Sequence, residues 1–164
     1  MTNASGIDLD GLNSLAAGDA HRVLLNVCAA PQWARGMTAA RPFQSVEALL
    51  STADRVLTAL TEADLDHALA GHPRLGERSV ADEVSGSEQS GVHDADRAGL
   101  LKGNREYEER FGHVYVACAT GRSGQELLKM LHERLANDPA TERRVIREEL
   151  GKINRLRLQR LIAA

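Results

Sequence analysis

The sequence predicts an all-α protein, a single compact domain of about seven to nine helices with a short extended segment near residues 113–119. The first observation is composition, because alanine, leucine, glutamate and arginine dominate while aromatic residues make up only 3%. The second is spacing, because apolar residues recur mostly three and four positions apart, as on one face of a helix. The third is length, because 164 residues suit one domain, taken as residues 1–164, with one substantial core.

Charge and composition exclude several classes of protein. The formal net charge is −3 and no basic block occurs, which argues against a nucleic acid or an anionic membrane as partner. No apolar stretch approaches the roughly 20 residues needed to cross a bilayer. Cys28 and Cys118 lack a paired spacing and no HExxH occurs, so neither a disulfide framework nor a metal is expected. A reducing cytoplasm fits this composition.

Helix signals follow one another in the first half of the chain. Asp8 is placed to cap a first helix, and Asp19 is predicted to cap the second. After the first proline, a short turn of helix carries Trp33, whose indole is expected to pack in the core. Ser45 then caps a predicted helix over residues 46–60.

Capping signals also organise the second half. Residues 61–64, Thr-Glu-Ala-Asp, resemble a capping box, so a helix should open there and end near Gly71. A longer helix is predicted over residues 94–111. Residues 123–126, Ser-Gly-Gln-Glu, open the next helix, and the last one should run over residues 139–162.

Residues 113–119 read His-Val-Tyr-Val-Ala-Cys-Ala and do not fit a helix. The segment is short and rich in residues that favour extended backbone. Extended backbone outside a sheet leaves its N–H and C=O groups unpaired, and these groups need partners.

His72 stands at the exit of a predicted helix and directly before Pro73, ahead of a polar loop over residues 74–84. Proline restricts the preceding backbone and so helps to aim the ring. Imidazole is also the side chain best suited to proton transfer near neutral pH. A catalytic acid or base and a helix-end histidine that bonds to a carbonyl are both open interpretations.

A second candidate segment, residues 85–89, contains capping side chains, a carboxylate and an amide. Its residues are Ser85, Gly86, Ser87, Glu88 and Gln89. Either serine can cap a short turn that bears Glu88. Glu88 is then a base or ligand clamp near an imidazole, or a helix-start carboxylate that pairs with the dipole. Gln89 either reads a donor–acceptor edge or lies on the surface.

Arg157 falls in the middle of an apolar arc of the last helix, about 20° from Ile146 on a helical wheel. A guanidinium there needs an anionic partner, which is either an acid such as Glu88 or a bound ligand. Its two parallel N–H groups suit carboxylates and planar ureido groups. Asn104 and Tyr107 share one buried helix face, where they order a site or make core hydrogen bonds.

An ordered set of short motifs, none specific alone, covers nearly the whole chain. The motifs are Pro31-x-Trp33, Arg41-Pro42-Phe43, His72-Pro73-x-Leu75-Gly76, Ser85-x-x-Glu88-Gln89, Asn104-x-x-Tyr107-x-x-x-Phe111-Gly112, Cys118-Ala119, Arg134-Leu135-x-Asn137 and Ile153-x-x-Leu156-Arg157-Leu158. Together they resemble the 2-oxo-4-hydroxy-4-carboxy-5-ureidoimidazoline (OHCU) decarboxylases of urate breakdown.

The resemblance implies an all-helical lyase of purine catabolism that needs no cofactor and converts OHCU into (S)-allantoin. His72 would be the catalytic acid/base and Glu88 would assist it. The implied substrate-binding positions are Pro73, Ser85, Gly86, Ser87, Glu88, Gln89, Tyr115, Val116, Ala117, Cys118, Ala119 and Arg157, with 115–119 acting mainly through backbone. Members often carry phenylalanine where Tyr115 stands, so its hydroxyl is a departure from the family pattern.

The resemblance also bears on partners and location. It implies a small ureidoimidazoline substrate and a homodimer as the candidate assembly. The absence of a peroxisomal Ser-Lys-Leu ending, with 17 arginines against three lysines, favours a bacterial, cytoplasmic member. Two alternatives remain open from the residues alone: a non-catalytic helical module that binds an anionic small molecule or partner through Arg157, and a purely structural arginine paired with Glu88.

Overall fold

The computed structural model describes residues 6–76 and 94–163. Within these ranges the chain forms eight helices and no strand, which confirms the predicted all-α class. The helices are α1 (Leu9–Ser14), α2 (Ala17–Val27), α3 (Pro31–Ala39), α4 (Val46–Ala59), α5 (Glu62–Ala70), α6 (Asp94–Phe111), α7 (Gly124–Leu135) and α8 (Pro139–Ile162). Among them, no helix combines the length and the apolar character that a membrane span requires.

The helices fall into two compact units. The first unit contains residues 1–68 and 151–164, and the second contains residues 69–150. Each unit has its own buried side chains, and α8 contributes its first half to the second unit and its second half to the first. The prediction that residues 1–164 fold as one domain stays a prediction.

Four of the predicted helix starts are confirmed by side-chain caps. In each case a side-chain oxygen accepts a hydrogen bond from a backbone N–H three residues later, which satisfies a donor that the helix itself leaves unpaired. The pairs are Asp8 with Gly11 (2.7 Å), Ser45 with Ala48 (3.0 Å), Thr61 with Asp64 (3.1 Å) and Ser123 with Glu126 (3.1 Å).

The predicted cap at Asp19 is wrong. Helix α2 begins at Ala17 after Ala16, which makes no side-chain cap, so Asp19 lies inside the first turn. There its carboxylate accepts a hydrogen bond from Arg22 at 2.7 Å. An acid in a first turn is still stabilised by the helix dipole, which explains why the sequence signal resembled a cap.

The core of the first unit includes Trp33, which lies on a full helix rather than the short turn predicted. Its side chain is fully buried and its indole N–H donates to the carbonyl of Ala53 over 3.2 Å. Helices α3 and α4 approach closely, because a Cβ at Gly36 would lie only 2.8 Å from a methyl of Val56. The prediction that this tryptophan packs is therefore confirmed.

The Arg41-Pro42-Phe43 motif secures the end of α1. The Arg41 guanidinium donates to the carbonyls of Leu12 and Leu15, at 2.8 and 2.7 Å. The backbone N–H of Phe43 donates to Oδ1 of the Asn13 side chain over 2.8 Å, and Nδ2 of the same side chain donates to the Phe43 carbonyl over 2.9 Å. The Arg41 contacts satisfy carbonyls that the short helix cannot pair internally.

In the second unit, α6 and α7 pack through two glycines one turn apart on α6. A Cβ at Gly103 would lie 2.2 Å from Leu131, and one at Gly99 would lie 3.0 Å from Leu128. The missing side chains let the leucines of α7 fit against the α6 backbone.

Helix α8 matches the predicted bounds and buries one apolar face. Ile146, Leu150 and Ile153 lie on this face and are buried. Leu161 is only partly buried, because the helix ends one residue later, and Leu158 is the fully buried residue of this last stretch.

Candidate active site

His72 lies two residues after the end of α5. Its backbone N–H donates to the carbonyl of Leu69 over 3.1 Å, and its side chain is partly buried, as is Pro73 after it. The backbone thus completes the last helical turn, while the imidazole projects from the point where the chain leaves the helix.

The segment after His72 is fastened to α6 by three side chains. Asn104 donates from Nδ2 to the carbonyl of Leu75 over 2.7 Å, and Arg97 donates to the carbonyl of Gly76 over 3.0 Å. The third contact is an ion pair between Arg74 and Glu108, with Nε 2.6 Å from Oε1. Such a set of bonds holds the backbone on both sides of a turn fixed.

Gly76 has a backbone conformation that favours glycine, with φ of +88°. A Cβ there would also lie 3.4 Å from the Cβ of Leu100. The turn that follows the histidine therefore needs glycine for its conformation and packs tightly on α6. This gives a physical reason for the Gly76 of the His-Pro motif.

Residues 114–119 form neither helix nor strand, as the sequence predicted, and the side chains of residues 115–119 are buried. Tyr115 is fully buried and its hydroxyl donates to the carbonyl of Leu127 over 3.1 Å. Burial above all raises the pKa of Tyr115 to about 12. The hydroxyl that departs from the family pattern is thus bound to α7 within the protein core.

Charged side chains supply the partners that this backbone requires. Arg134 donates to the carbonyl of Val116 over 2.7 Å. The N–H of Cys118 donates to Glu149 over 3.2 Å, and its carbonyl accepts from Arg122 at 3.2 Å. The prediction that the segment finds partners elsewhere is confirmed for these groups.

Arg134 and Glu142 form a buried ion pair in which Nε and Nη2 lie 2.7 and 2.5 Å from the same carboxylate oxygen. Burial alone would lower the pKa of the Arg134 guanidinium, but hydrogen bonding and charge pairing with Glu142 outweigh it and raise that pKa. Tyr107 and Asn137 also donate to Glu142, at 2.5 and 3.1 Å. Burial, reinforced by the hydrogen bond to Glu142, raises the pKa of the Tyr107 hydroxyl.

No role was predicted for Arg134, Glu142, Glu149 or Arg122, although the sequence carries a signal for three of them. Arg134 follows the buried Leu127 and Leu131 at helical spacing on α7. The two glutamates lie on the buried face of α8 at a spacing of seven residues. Charged residues on an apolar helix face are expected to pair, so three of these residues are found by the same argument that selected Arg157.

The two candidate segments of the second unit meet in one apolar cluster. Leu75, three residues after His72, shares this cluster with Tyr115, Ala117 and Ala119. Asn104 is almost fully buried, and its bond to Leu75 is both a core hydrogen bond and an anchor for the His-Pro turn. The two interpretations left open for Asn104 therefore describe the same contact.

Arg157 is partly buried in the first unit, where it donates from Nη1 to the carbonyl of Val27 over 3.1 Å. Val27 is the last residue of α2, so the guanidinium lies at the negative end of that helix. Next to it, burial raises the pKa of the Cys28 thiol, against the lowering effect of the Ala30 backbone and of the Arg157 charge.

The remaining candidates, Ser85, Gly86, Ser87, Glu88 and Gln89, lie outside the described residues, so their roles stay predictions. The proposed pairing of Arg157 with Glu88 stays a prediction for the same reason. Across residues 6–76 and 94–163, no three His, Cys, Asp or Glu side chains are grouped as metal ligands.

Comparison with known proteins agrees with the motifs. The sequence profile described as OHCU decarboxylase matches residues 13–159. A 2-oxo-4-hydroxy-4-carboxy-5-ureidoimidazoline decarboxylase of Amia calva is 31% identical over 95% of both chains, and one of Mus musculus is 29% identical over 96% of this chain and 94% of its own. A uric acid degradation bifunctional protein of Arabidopsis thaliana is 30% identical over 83% of this chain and 45% of its own.

The fold has a solved counterpart. A crystal structure of an OHCU decarboxylase, determined in the presence of (S)-allantoin, has a TM-score of 0.76 at 24% identity and covers 85% of this chain and 96% of its own. The family profile and these relatives define a small helical lyase. The chain belongs to the OHCU decarboxylase family. The varied sources of its relatives give no support to the expected bacterial origin.

Proposed function

We propose that this protein decarboxylates OHCU to (S)-allantoin and that His72 delivers the proton that sets the configuration of the product. The observation that carries the proposal is the fixed turn after His72, which is fastened to α6 through Leu75 and Gly76 and shares an apolar cluster with residues 115–119. Membership of the OHCU decarboxylase family supplies the substrate.

The chemistry of the substrate explains why acid–base help is enough. OHCU carries a carboxylate and a hydroxyl on one ring carbon, next to a carbon of a C=N bond. When the bond to the carboxylate breaks, its electron pair forms a C=C bond and the C=N pair moves to nitrogen, which takes up a proton. The resulting enol becomes the ketone when the neighbouring carbon is protonated and the hydroxyl proton departs.

His72 is proposed to manage the proton transfer to carbon. His72 lies at a helix exit, and Asn104 and Arg97 hold the backbone that follows it. The imidazole can therefore approach one face of the substrate ring from a fixed position. General acid–base catalysis contributes typically ~10²–10⁴-fold to a rate. Glu88 is proposed to crowd the departing carboxylate and to accept a hydrogen bond from the neighbouring hydroxyl.

Binding is proposed to involve backbone groups of residues 115–119 together with Arg157. The backbone offers N–H and C=O groups that match the amide edges of the substrate, and the guanidinium suits its ureido group. Pro73, Ser85, Gly86, Ser87 and Gln89 complete the proposed substrate-binding set. No cofactor or metal takes part in this proposal.

The test is circular dichroism of OHCU generated in situ from urate, with and without the protein. We expect rapid appearance of the (S)-allantoin signal and a loss of roughly 10²–10⁴-fold in rate for His72→Asn. His67→Asn is the matched control, because His67 is exposed on α5, five residues earlier. A folded His72→Asn variant with unchanged turnover would contradict the assignment of His72.

Racemic allantoin formed only at the spontaneous rate would contradict the whole proposal. In that case, binding of an anionic small molecule through Arg157 becomes the leading account, and calorimetry with such anions would follow.

We also propose a cytoplasmic, cofactor-independent enzyme that assembles as a homodimer. Both cysteines are buried free thiols, which suits a reducing compartment. Light scattering after size exclusion tests the dimer, and full activity after dialysis against a chelator is the result expected without a metal.

A further inference from the structure

Two ion pairs, one buried and one partly buried, bind the peptide groups on either side of Ala117, and neither is used in the proposed mechanism. On one side Arg134, paired with Glu142, donates to the carbonyl of Val116 over 2.7 Å. On the other side Arg122 and Glu149 form an ion pair that binds both the carbonyl and the N–H of Cys118.

Ala117 itself is different from its neighbours. It is only 5% exposed, yet within residues 6–76 and 94–163 neither its N–H nor its carbonyl makes a hydrogen bond. Buried backbone groups are nearly always paired, so an unpaired peptide donor and acceptor between two bound neighbours needs an explanation. A ligand with a matching amide edge provides one.

We propose that Arg134 and Arg122 are positioning residues, which hold the backbone around Ala117 so that its own N–H and carbonyl are presented to an amide edge of the substrate. The inference rests on the proposed function, because the substrate class comes from there. The arginines act through the backbone and do not touch the ligand.

The two carboxylates have distinct parts in this arrangement. Glu142 neutralises Arg134 and contacts both Nε and Nη2 of the guanidinium, which fixes its position, while Tyr107 and Asn137 donate further hydrogen bonds to the carboxylate. Glu149 accepts from Cys118 and Arg122 together, which joins the N–H and the carbonyl of one residue through a single ion pair. A buried ion pair gives little net stability, so its orienting effect is the more informative property.

The experiment compares Arg134→Lys with Tyr107→Phe. Lysine keeps the charge opposite Glu142, but a single ammonium cannot reproduce the planar fork that reaches both Glu142 and Val116. Phenylalanine removes one donor to Glu142 and leaves the bond to Val116 in place. Both variants disturb the same buried carboxylate, so Tyr107→Phe controls for a general loss of stability.

We expect Arg134→Lys to raise the KM for OHCU about tenfold, the effect of losing one hydrogen bond to the substrate, while kcat stays within about threefold. Tyr107→Phe should lower the thermal midpoint but keep the KM of the unaltered protein. In amide NMR spectra, titration with (S)-allantoin should shift the Ala117 N–H in the unaltered protein and in Tyr107→Phe, and much less in Arg134→Lys.

The outcomes separate the inference from the proposed function. If the unaltered protein turns over OHCU and both variants share its KM, the positioning role is refuted and the proposed function stands. If the unaltered protein does not turn over OHCU, the inference and the proposed function both fail. Should Arg134→Lys not fold, Arg122→Lys replaces it, because that side chain is 25% exposed and binds the Cys118 carbonyl; an unchanged KM there refutes the inference equally.

Discussion

Asn104 donates a hydrogen bond to the carbonyl of Leu75 over 2.7 Å, and this bond joins the middle of α6 to the turn that follows His72. The amide is 1% exposed and its oxygen has no partner among the described residues, so its main contact is with the His-Pro turn. A core hydrogen bond and the placement of the candidate catalytic histidine are thus the same interaction.

Removal of this bond should reduce both stability and turnover. Asn104→Ala leaves the Leu75 carbonyl buried without its donor, which costs about 1–3 kcal/mol, and frees the turn that carries His72. We expect kcat to fall at least about tenfold, in line with the cost of a misplaced catalytic group. Asn13→Ala is the control, because Asn13 makes two comparable bonds to the Phe43 backbone in the other unit.

Urea unfolding and steady-state kinetics on both variants decide this prediction. We expect Asn104→Ala and Asn13→Ala to lose similar amounts of stability. Only Asn104→Ala should lose kcat. Equal kcat values for the two variants would show that the bond does not position His72.

Stability should fall at high pH through Tyr115. Its pKa is raised to about 12 in the folded protein from the usual 10, so between these values the unfolded chain releases the phenol proton while the folded one retains it. The free energy of unfolding therefore declines as pH rises above about 10, by up to roughly 3 kcal/mol from this group. Below pH 10 both states are protonated and the group contributes no pH dependence.

Urea unfolding of the unaltered protein and of Tyr115→Phe at pH 9 and at pH 11.5 measures this contribution. The fall in the free energy of unfolding between these two pH values should be smaller in Tyr115→Phe. The contribution of Tyr107 to this fall remains in both proteins. Identical declines would contradict the assignment to Tyr115.

Two helical glycines should respond to alanine in opposite directions. A Cβ at Gly103 would lie 2.2 Å from Leu131, so Gly103→Ala should cost about 1–3 kcal/mol by overpacking. At Gly151 the nearest atom is 3.8 Å away, so Gly151→Ala should stabilise the protein by roughly 0.5–1 kcal/mol through helix propensity. Thermal unfolding of the two variants tests the close approach of α6 and α7, which a stable Gly103→Ala variant would disprove.

Arg157 should affect substrate binding more than its neighbour Arg155 does. Arg157→Gln removes a charged donor proposed to bind the ureido group, so the KM for OHCU should rise about 10- to 100-fold. Arg155→Gln is the matched control, because Arg155 forms a half-exposed ion pair with Asp54, with Nη2 2.6 Å from Oδ2. A similar KM for both variants would argue against a binding role for Arg157.

Helix starts were largely predictable because their causes are local. A side-chain oxygen and an N–H three residues later make a cap wherever the chain is helical, so Ser45 and Ser123 could be identified without tertiary information. Asp19 failed because an acid at a cap and an acid in the first turn look alike in sequence, and the actual start at Ala17 has no capping side chain.

The candidate site was predictable in part. The constrained His72 and the centrally placed Arg157 follow from neighbouring residues and helical spacing. The residues that bind the backbone at 115–119 were not identified, although Arg134 and Glu149 lie on apolar helix faces. Their partners are 18 and 31 residues away along the chain, and spacing alone does not pair them.

The sequence by itself determined the helical class, most helix boundaries and the family, because capping, periodicity and ordered motifs are properties of nearby residues. Only the tertiary structure decided which charges neutralise each other and that Asn104 anchors the turn after His72. It also decided that, among the described residues, the N–H and the carbonyl of Ala117 make no hydrogen bond although both neighbouring residues are bound. The physical reason is that burial and hydrogen bonding depend on which distant segments the packed core brings into contact.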